Sequence, residues 1–298
     1  IDGVADYGNK IGLPTVAGAI LYDPGYTTNP LVFAGCVGKA TGWEADAGPF
    51  AGDRVVLLGG RTGRDGIRGA TFSSLTMDAT TGEVAGASVQ IGDPIVEKLL
   101  IDVLVGAEHL YTAITDCGAG GLSSAIGEMA EGVGADVELE LVPLKYAGLE
   151  PWEIWLSEAQ ERMVVAVPPA RLPELAERCA RHGVELADLG RFTGDGQLVV
   201  RSGGEPVLQL DTAFLHDGRP RRHMRAVLPT PNRDRPTGRQ LAGVDPADAV
   251  LGLLGHLNIA SKASTIHRYD HEILGATAVR PLVGRLSDAP ADGVVLAD

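Results

Sequence analysis

Asp116 is the residue from which a chemistry can be argued. It closes an apolar run, Leu110 to Thr115, that reads as a buried strand. Gly118, Gly120 and Gly121 follow it, and a helix is predicted to open near Ser123. So glycine-rich a turn leaves backbone N–H groups uncovered beside a helix N-terminus with partial positive charge. A strand-end carboxylate can hold a divalent cation while such a loop faces the phosphates that the cation bridges. The pattern points to a metal–phosphate site; the plain alternative is a tight turn that binds nothing. Two sharper nucleotide motifs fail. The dinucleotide fingerprint G-x-G-x-x-G needs a glycine where Ser123 stands. The Gly38-Lys39 pair is followed by Ala40 and has Phe33 where the first glycine of a P-loop belongs.

Two further stretches carry polar groups in patterns that can do work. Gly59 to Thr71 holds five glycines and three arginines, Arg64 and Asp65 at its centre. Freed backbone and forked guanidinium groups suit an anion, and a solvated surface loop has the same composition. Pro151 to Met163 packs Trp152 and Trp155 before Glu158, Gln160, Glu161 and Arg162. Spacing alone favours a solvated helix end over groups aimed into a tryptophan-lined pocket. Cys36, Cys117 and Cys179 are too widely spaced for a disulfide framework or a zinc pattern. No histidine lies near Cys117 in sequence, so it reads as a small buried or turn residue and not a nucleophile. His182 reads as a dipole partner at a helix end, and His271 as a paired, partly exposed histidine.

The elements that must position these groups follow from periodicity. Residues 1–50 read as a helix end running into Gly8, then strands near 15–22 and 31–37. A new domain opens with the apolar strand Asp53–Leu58. Asp93 is a credible N-cap with Pro94 at N1. Ile95, Val96, Leu99, Leu100, Val103 and Leu104 then follow helical spacing as a core stripe. A helix over about 123–132 leads to Val137–Val142, which alternates as a strand with Val137, Leu139 and Leu141 inward. Next come a strand from Met163 to Val167, a helix from Ala170 to His182 closed by Gly183, and a strand over 184–189. Gly194–Gly196 and Gly203–Gly204 read as hairpin turns. Residues 216–246, with seven arginines and five prolines, form a linker. Pro246 to Leu254 is predicted as a short amphipathic helix, and Val294–Asp298 as a strand.

At 298 residues, 45% hydrophobic and 21% charged, the chain has the apolar surface for roughly two domains. A net charge of −14 opposes a nucleic-acid backbone as partner. No apolar run spans a membrane and no signal peptide opens the chain, which predicts a cytoplasmic protein. The start at Ile1 and the strand at the far end look like cuts through larger domains, and predict a piece of a longer protein.

Several segments together resemble one family. Gly63-Arg-Asp-Gly-Ile67, Gln90-Ile-Gly-Asp-Pro94 with Glu97-Lys-Leu-Leu100, Thr115-Asp-Cys-Gly-Ala-Gly-Gly-Leu122, Ser157-Glu-Ala-Gln-Glu-Arg-Met163, and Asn258-Ile-Ala-Ser-Lys262 with Tyr269-Asp-His271 occur in this order. That order is similar to the synthetase subunit of phosphoribosylformylglycinamidine synthase, of the aminoimidazole ribonucleotide synthetase superfamily. The resemblance implies an α/β fold of α+β type: the superfamily's companion α/β domain over 51–215, flanked by partial N-terminal-type domains. Residues 1–50 would end a first ATP-binding-type domain, 216–246 would link, and 247–298 would begin a second.

The implied reaction joins ammonia to N2-formylglycinamide ribonucleotide in purine biosynthesis. ATP activates the formyl-amide oxygen, and ammonia from a glutaminase partner displaces the phosphate. By resemblance Asp116 is a magnesium ligand, Gln90 a substrate contact, and Glu158-Ala159-Gln160 the substrate triplet. This overturns the solvated reading of Glu158 and Gln160. Arg64, Asp65, Gly118, Gly120 and Gly121 are implied as phosphate or loop residues. Mg2+ and ATP are the implied cofactor and co-substrate; the glutaminase and the remaining domains of the parent chain are the implied partners. Ala159 stands where the family has serine, so a hydroxyl contact is lost while a backbone contact would survive; Arg68 stands where histidine is common. The family's catalytic histidine would precede Ile1, which predicts that this chain alone is inactive. The competing readings are a scaffold that docks a glutaminase, and a related enzyme such as aminoimidazole ribonucleotide synthetase or thiamine-monophosphate kinase.

Overall fold

The computed structural model describes residues 1–27, 30–39, 48–67, 89–228 and 243–297. They belong to two units, one joining residues 1–39 to 221–298 and the other formed by 40–220. The first unit opens with α1 (Asp2–Lys10), which runs past Gly8, where the sequence predicts its end. A Lys10–Asp6 ion pair at 2.7 Å and the Ile11 N–H bond to Tyr7 O close its last turn. One glycine costs a helix only about 1 kcal/mol, so such closing contacts carry the helix through it.

The second unit is built on a sheet of β1 (Arg54–Gly59), β2 (Ala113–Asp116), β3 (Ala135–Glu138), β4 (Arg162–Val167), β5 (Leu186–Phe192), β6 (Gln197–Ser202) and β7 (Glu205–Asp211). Their order across the sheet is β2-β4-β1-β5-β3-β6-β7. Neighbours are antiparallel except β3 and β6, which are parallel. β1 lies inside the sheet and is buried on both faces, which is why it reads as an unbroken apolar run. Val55 and Leu57 join one core, which includes Leu122, Ile126, Val164 and Phe192. Val56 and Leu58 join the other, with Leu100, Val103, Val165 and Leu175. The first core is roofed by α3 (Gly121–Met129), and the second by α2 (Pro94–Leu104) and α5 (Leu172–His182). The helices α4 (Pro151–Leu156) and α6 (Thr212–Asp217) complete the unit.

Several predicted boundaries shift for identifiable reasons. Asp93 caps α2 through Ile95 and Val96 N–H and Pro94 sits at its start, as predicted, but Ile95 is exposed. Leu110 lies in a 3-10 turn, so β2 is shorter than the apolar run implies. The alternation of Val137–Val142 breaks after Glu138 into a 3-10 turn over Leu139–Leu141, leaving Leu141 exposed. Gly203–Gly204 does join an antiparallel hairpin, β6 to β7. Gly194–Gly196 does not, because β3 lies between β5 and β6. Both Gly194 N–H and Gly196 N–H donate to Val133 O, so this turn straddles the chain entering β3.

The predicted strands near 15–22 and 31–37 are absent among the described residues. Strand propensity is realised only against a partner ladder, and here side chains serve instead. Tyr22 N–H donates to Asn258 Oδ1 at 2.6 Å, and Asn258 Nδ2 donates back to Tyr22 O at 3.0 Å. Farther along, α7 (Pro246–Gly255) is capped by Asp245, with Leu251, Leu253 and Leu254 exposed. Short ladders pair Thr277–Val279 with Val295–Leu296, and Leu282–Val283 with Ala289–Pro290. His271 is paired as expected, with Nδ1 3.0 Å from Tyr269 O and Nε2 3.5 Å from Glu272. Among the described residues no helix is long and apolar enough to cross a membrane.

Candidate functional site

The site lies where β2 ends and the 157–162 turn enters β4. Asp116, opposite Met163 in the ladder, is carried to the surface as the exposed last residue of β2. The glycine turn folds back over it: a Cβ on Gly118 would stand 2.5 Å from Asp116 Oδ2. Glu97, in the first turn of α2, has its carboxyl pushed above the usual range, chiefly by burial and then by the charge of Asp116. Cys117 points inward, and burial pushes its thiol up to about 11. At neutral pH it is a protonated core residue, as its sequence context implies.

The glycine turn opens α3 through Gly120, at φ +80°, and Gly121, at φ +56°. A side chain on Gly121 is ruled out by packing, since a Cβ would lie 1.9 Å from Ser157 O. This close approach seats the start of α3 on the 157–162 turn, and the turn answers with a carboxylate. Glu158 Oε1 accepts the Gly120 N–H at 3.0 Å, where the positive end of α3 favours negative charge. The Gly121 N–H bonds Gly118 O, and the Ser123 N–H bonds Gly120 O. The anion held at this N-terminus is thus a side chain of the protein itself.

Gln90 and Gln160 close the arrangement. Gln90 Nε2 donates to Glu158 Oε2 at 2.5 Å, and Gln160 Nε2 donates to Gln90 Oε1 at 3.2 Å and to Glu158 O at 2.7 Å. Beneath them Gly66, at φ +69°, leaves no room for a methyl group: a Cβ there would stand 2.4 Å from both Cβ and Oε2 of Glu158. The Glu158 N–H donates to Asp65 O at 2.8 Å, binding the Gly63–Gly66 loop to the same turn. Gln90, Gly120 and the Glu158–Gln160 run, distant in sequence, therefore form one hydrogen-bonded set on the turn that follows Asp116.

Other expected residues turn elsewhere. Ala159 is fully buried; its N–H donates to Ser157 Oγ and its carbonyl accepts Arg162 Nε. It shapes the turn, and its backbone N–H is engaged within it. Arg64 makes a bidentate pair with Glu153, at 2.7 and 3.1 Å, and donates to Gly148 O. Its guanidinium also lies 5.7 Å from the Tyr146 ring centroid. Asp65 pairs with Lys145 at 2.7 Å. The charges of this loop are matched internally and hold its shape. Arg68 lies outside the described residues.

One contributor was missed from the sequence, and another was read without its burial. Glu153 is buried, capping Glu150 N–H while it grips Arg64; a glutamate three residues after Glu150 at a Pro-initiated helix is the signal that could have found it. Arg162, read as part of a polar run either solvated or aimed into a pocket, is buried under the turn.

The donor set can be tested against magnesium. Among the described residues no group of three or more His, Cys, Asp or Glu could hold a metal. Magnesium ordinarily takes one or two protein carboxylates and completes its shell with water and phosphate oxygens. Exposed Asp116, with Glu97 in electrostatic reach, fits that habit and not a closed protein cage.

The family described as "AIR synthase related protein, C-terminal domain" matches residues 51–203. The phosphoribosylformylglycinamidine synthase subunit PurL of Methanopyrus kandleri is 40% identical over 94% of this chain and 39% of its own length. A solved structure of Thermotoga maritima PurL complexed with FGAR has a TM-score of 0.64 at 32% identity, covering 77% of this chain and 38% of that one. The structure of PurLQS from the same organism has a TM-score of 0.67 at 27% identity, covering 94% and 43%. The chain thus spans about two fifths of the length of the relatives it matches.

Proposed function

The chain belongs to the AIR synthase related family through that C-terminal domain, and from this premise we propose that it supplies substrate and magnesium contacts to an ATP-dependent carbon–nitrogen ligase. The ligase would convert N2-formylglycinamide ribonucleotide, ATP and glutamine-derived ammonia to formylglycinamidine ribonucleotide. A glutaminase partner would supply the ammonia.

In this reading Gln90 and Gln160 present amide donors and acceptors to the substrate, while Glu158 orients both amides and is itself anchored on Gly120 N–H. Asp116 would hold magnesium, which when bound neutralises phosphate charge during transfer. Pre-aimed hydrogen-bonding groups lower the reorganisation needed as charge develops. Ala159 contributes by setting the turn, and Gly118, Gly120 and Gly121 by letting Asp116, Glu158 and α3 approach.

The observation that carries the proposal is the direct bonding of Gln90, Glu158 and Gln160 above the glycine turn. Calorimetry with N2-formylglycinamide ribonucleotide tests it. Wild type should bind, and Gln160→Ala should weaken binding about tenfold, the loss of a buried polar contact of about 1.4 kcal/mol. Equal affinities, or no binding by either, would remove this pocket as the substrate site.

A further inference from the structure

We propose that Arg162 is a positioning residue for the Glu158–Gln160 run, and this rests on the pocket assignment above. The observation is where its guanidinium bonds go. Nε donates to Ala159 O at 2.8 Å, Nη2 to Ser157 O at 2.5 Å, and Nη1 to Thr62 Oγ1 at 2.8 Å. The two carbonyls belong to the residues on either side of Glu158. One rigid fork therefore fixes the backbone before and after the carboxylate, and ties both to the loop that follows β1.

A guanidinium in this position is expensive. Arg162 is 3% exposed, and among the described residues none of its hydrogen bonds is to a carboxylate. Burial accordingly pulls its pKa down, while Cys117 and Asp65 pull the other way. A buried cation of this kind is tolerated when its donors are met and is often no better for stability than an apolar side chain. What an apolar side chain of the same volume could not do is direct Ser157 O and Ala159 O. The rest of the turn depends on that direction. Glu161 sits at φ +55°, a left-handed conformation that a non-glycine residue holds only under constraint. Its carbonyl accepts the Gly60 N–H at 2.8 Å. Release of the fork would let the turn relax, and Glu158 would leave Gly120.

The Gly120 amide supplies a readout that a merely structural role would not move. Its proton is donated to Glu158, so its chemical shift reports whether that charge-assisted hydrogen bond is made. The experiment uses the full chain with glycine-selective 15N labelling and compares wild type, Arg162→Lys, Thr62→Val and Gln160→Ala. Calorimetry with the ribonucleotide runs in parallel. Arg162→Lys keeps the charge and loses the fork; we expect at least a tenfold loss of affinity and a Gly120 amide that moves upfield. Thr62→Val removes one of the three bonds, with an expected loss of about threefold and a partial shift. Arg162→Lys binding within twofold of wild type, with an unmoved Gly120 amide, would overturn the proposal. If Arg162→Lys does not fold, Thr62→Val decides by the same two readouts. Should wild type and Gln160→Ala bind alike, the pocket assignment fails by itself, and the Gly120 amide still decides the role of Arg162.

Discussion

Gly66→Ala is the most direct probe of whether the site is assembled as described. Two costs combine at this position. Its φ is +69°, and left-handed backbone costs an L-residue about 1 kcal/mol. The added methyl would also stand 2.4 Å from Glu158 Cβ and Oε2 and 2.8 Å from Gln90 Nε2. Because Glu158 Cβ is not a flexible chain end, something must shift; overpacking of this kind costs about 1–3 kcal/mol. Gly132 supplies the control, with φ +72° and nothing within 4 Å of the place its methyl would occupy. Gly132→Ala should therefore lose about 1 kcal/mol and Gly66→Ala about 2–4 kcal/mol. Urea unfolding followed by tryptophan fluorescence reads the difference, since Trp152 and Trp155 belong to the 40–220 unit. Glu158→Gly removes the two nearest of the three atoms and leaves only the flexible end of Gln90, so in that background the two alanine variants should draw together. If Gly66→Ala and Gly132→Ala agree within about 0.5 kcal/mol in wild type, a margin typical of independent sites, Glu158 does not rest on Gly66 and the assembled cluster is wrong.

The other expectations are quicker to check. Cys117 and Cys179 are buried with thiols pushed up to about 11, so at pH 8 only about one in a thousand is thiolate. Exposed Cys36 should take iodoacetamide in native buffer and the other two only after denaturation, read by peptide mass spectrometry; native labelling of Cys117 would contradict its burial. Arg64 holds the Glu153 carboxyl below its usual range, the largest cause being their hydrogen bond. A depressed carboxyl stabilises the fold above its unfolded value of about 4.3 and loses that contribution as pH falls through the folded one. Glu153→Gln should thus lower the melting temperature at pH 7, with the gap to wild type closing in acid; a gap independent of pH would refute the pairing.

What the sequence revealed depended on whether the deciding contact was local. The Asp93 cap, the Gly183 helix end at φ +71° and the apolar run of β1 are set by near neighbours, and each is where the letters put it. The turn at Gly194–Gly196 carries ordinary hairpin letters, and only the insertion of β3 makes it something else. At the site, Asp116 and its glycines were visible as a strand-to-turn pattern. The polar run after Trp155 was not, because solvated and pocket-facing glutamates have the same spelling; ordered motifs across the chain, and not periodicity, singled out Glu158 and Gln160. The glutamate that accepts from the start of α3 lies 38 residues downstream, beyond the reach of any local pattern. The burial of Arg162 stayed hidden because two of its three partners are carbonyls, which no side-chain pattern records.

The inner place of β1 bears on how the chain is made. Arg54 lies opposite Val167 on one side and Arg191 on the other, so both flanking strands are synthesised long after it. At translation rates of about 5–20 residues per second, Val55–Leu58 would wait roughly ten seconds on the ribosome before β5 emerges. Until β4 is made this fully apolar tetrapeptide has no ladder to join, until β5 follows it keeps one open side, and it is the natural station for a chaperone. A nascent chain arrested before Leu186 would leave this tetrapeptide with an open side, prone to aggregate, although every residue of β1 had long since been made.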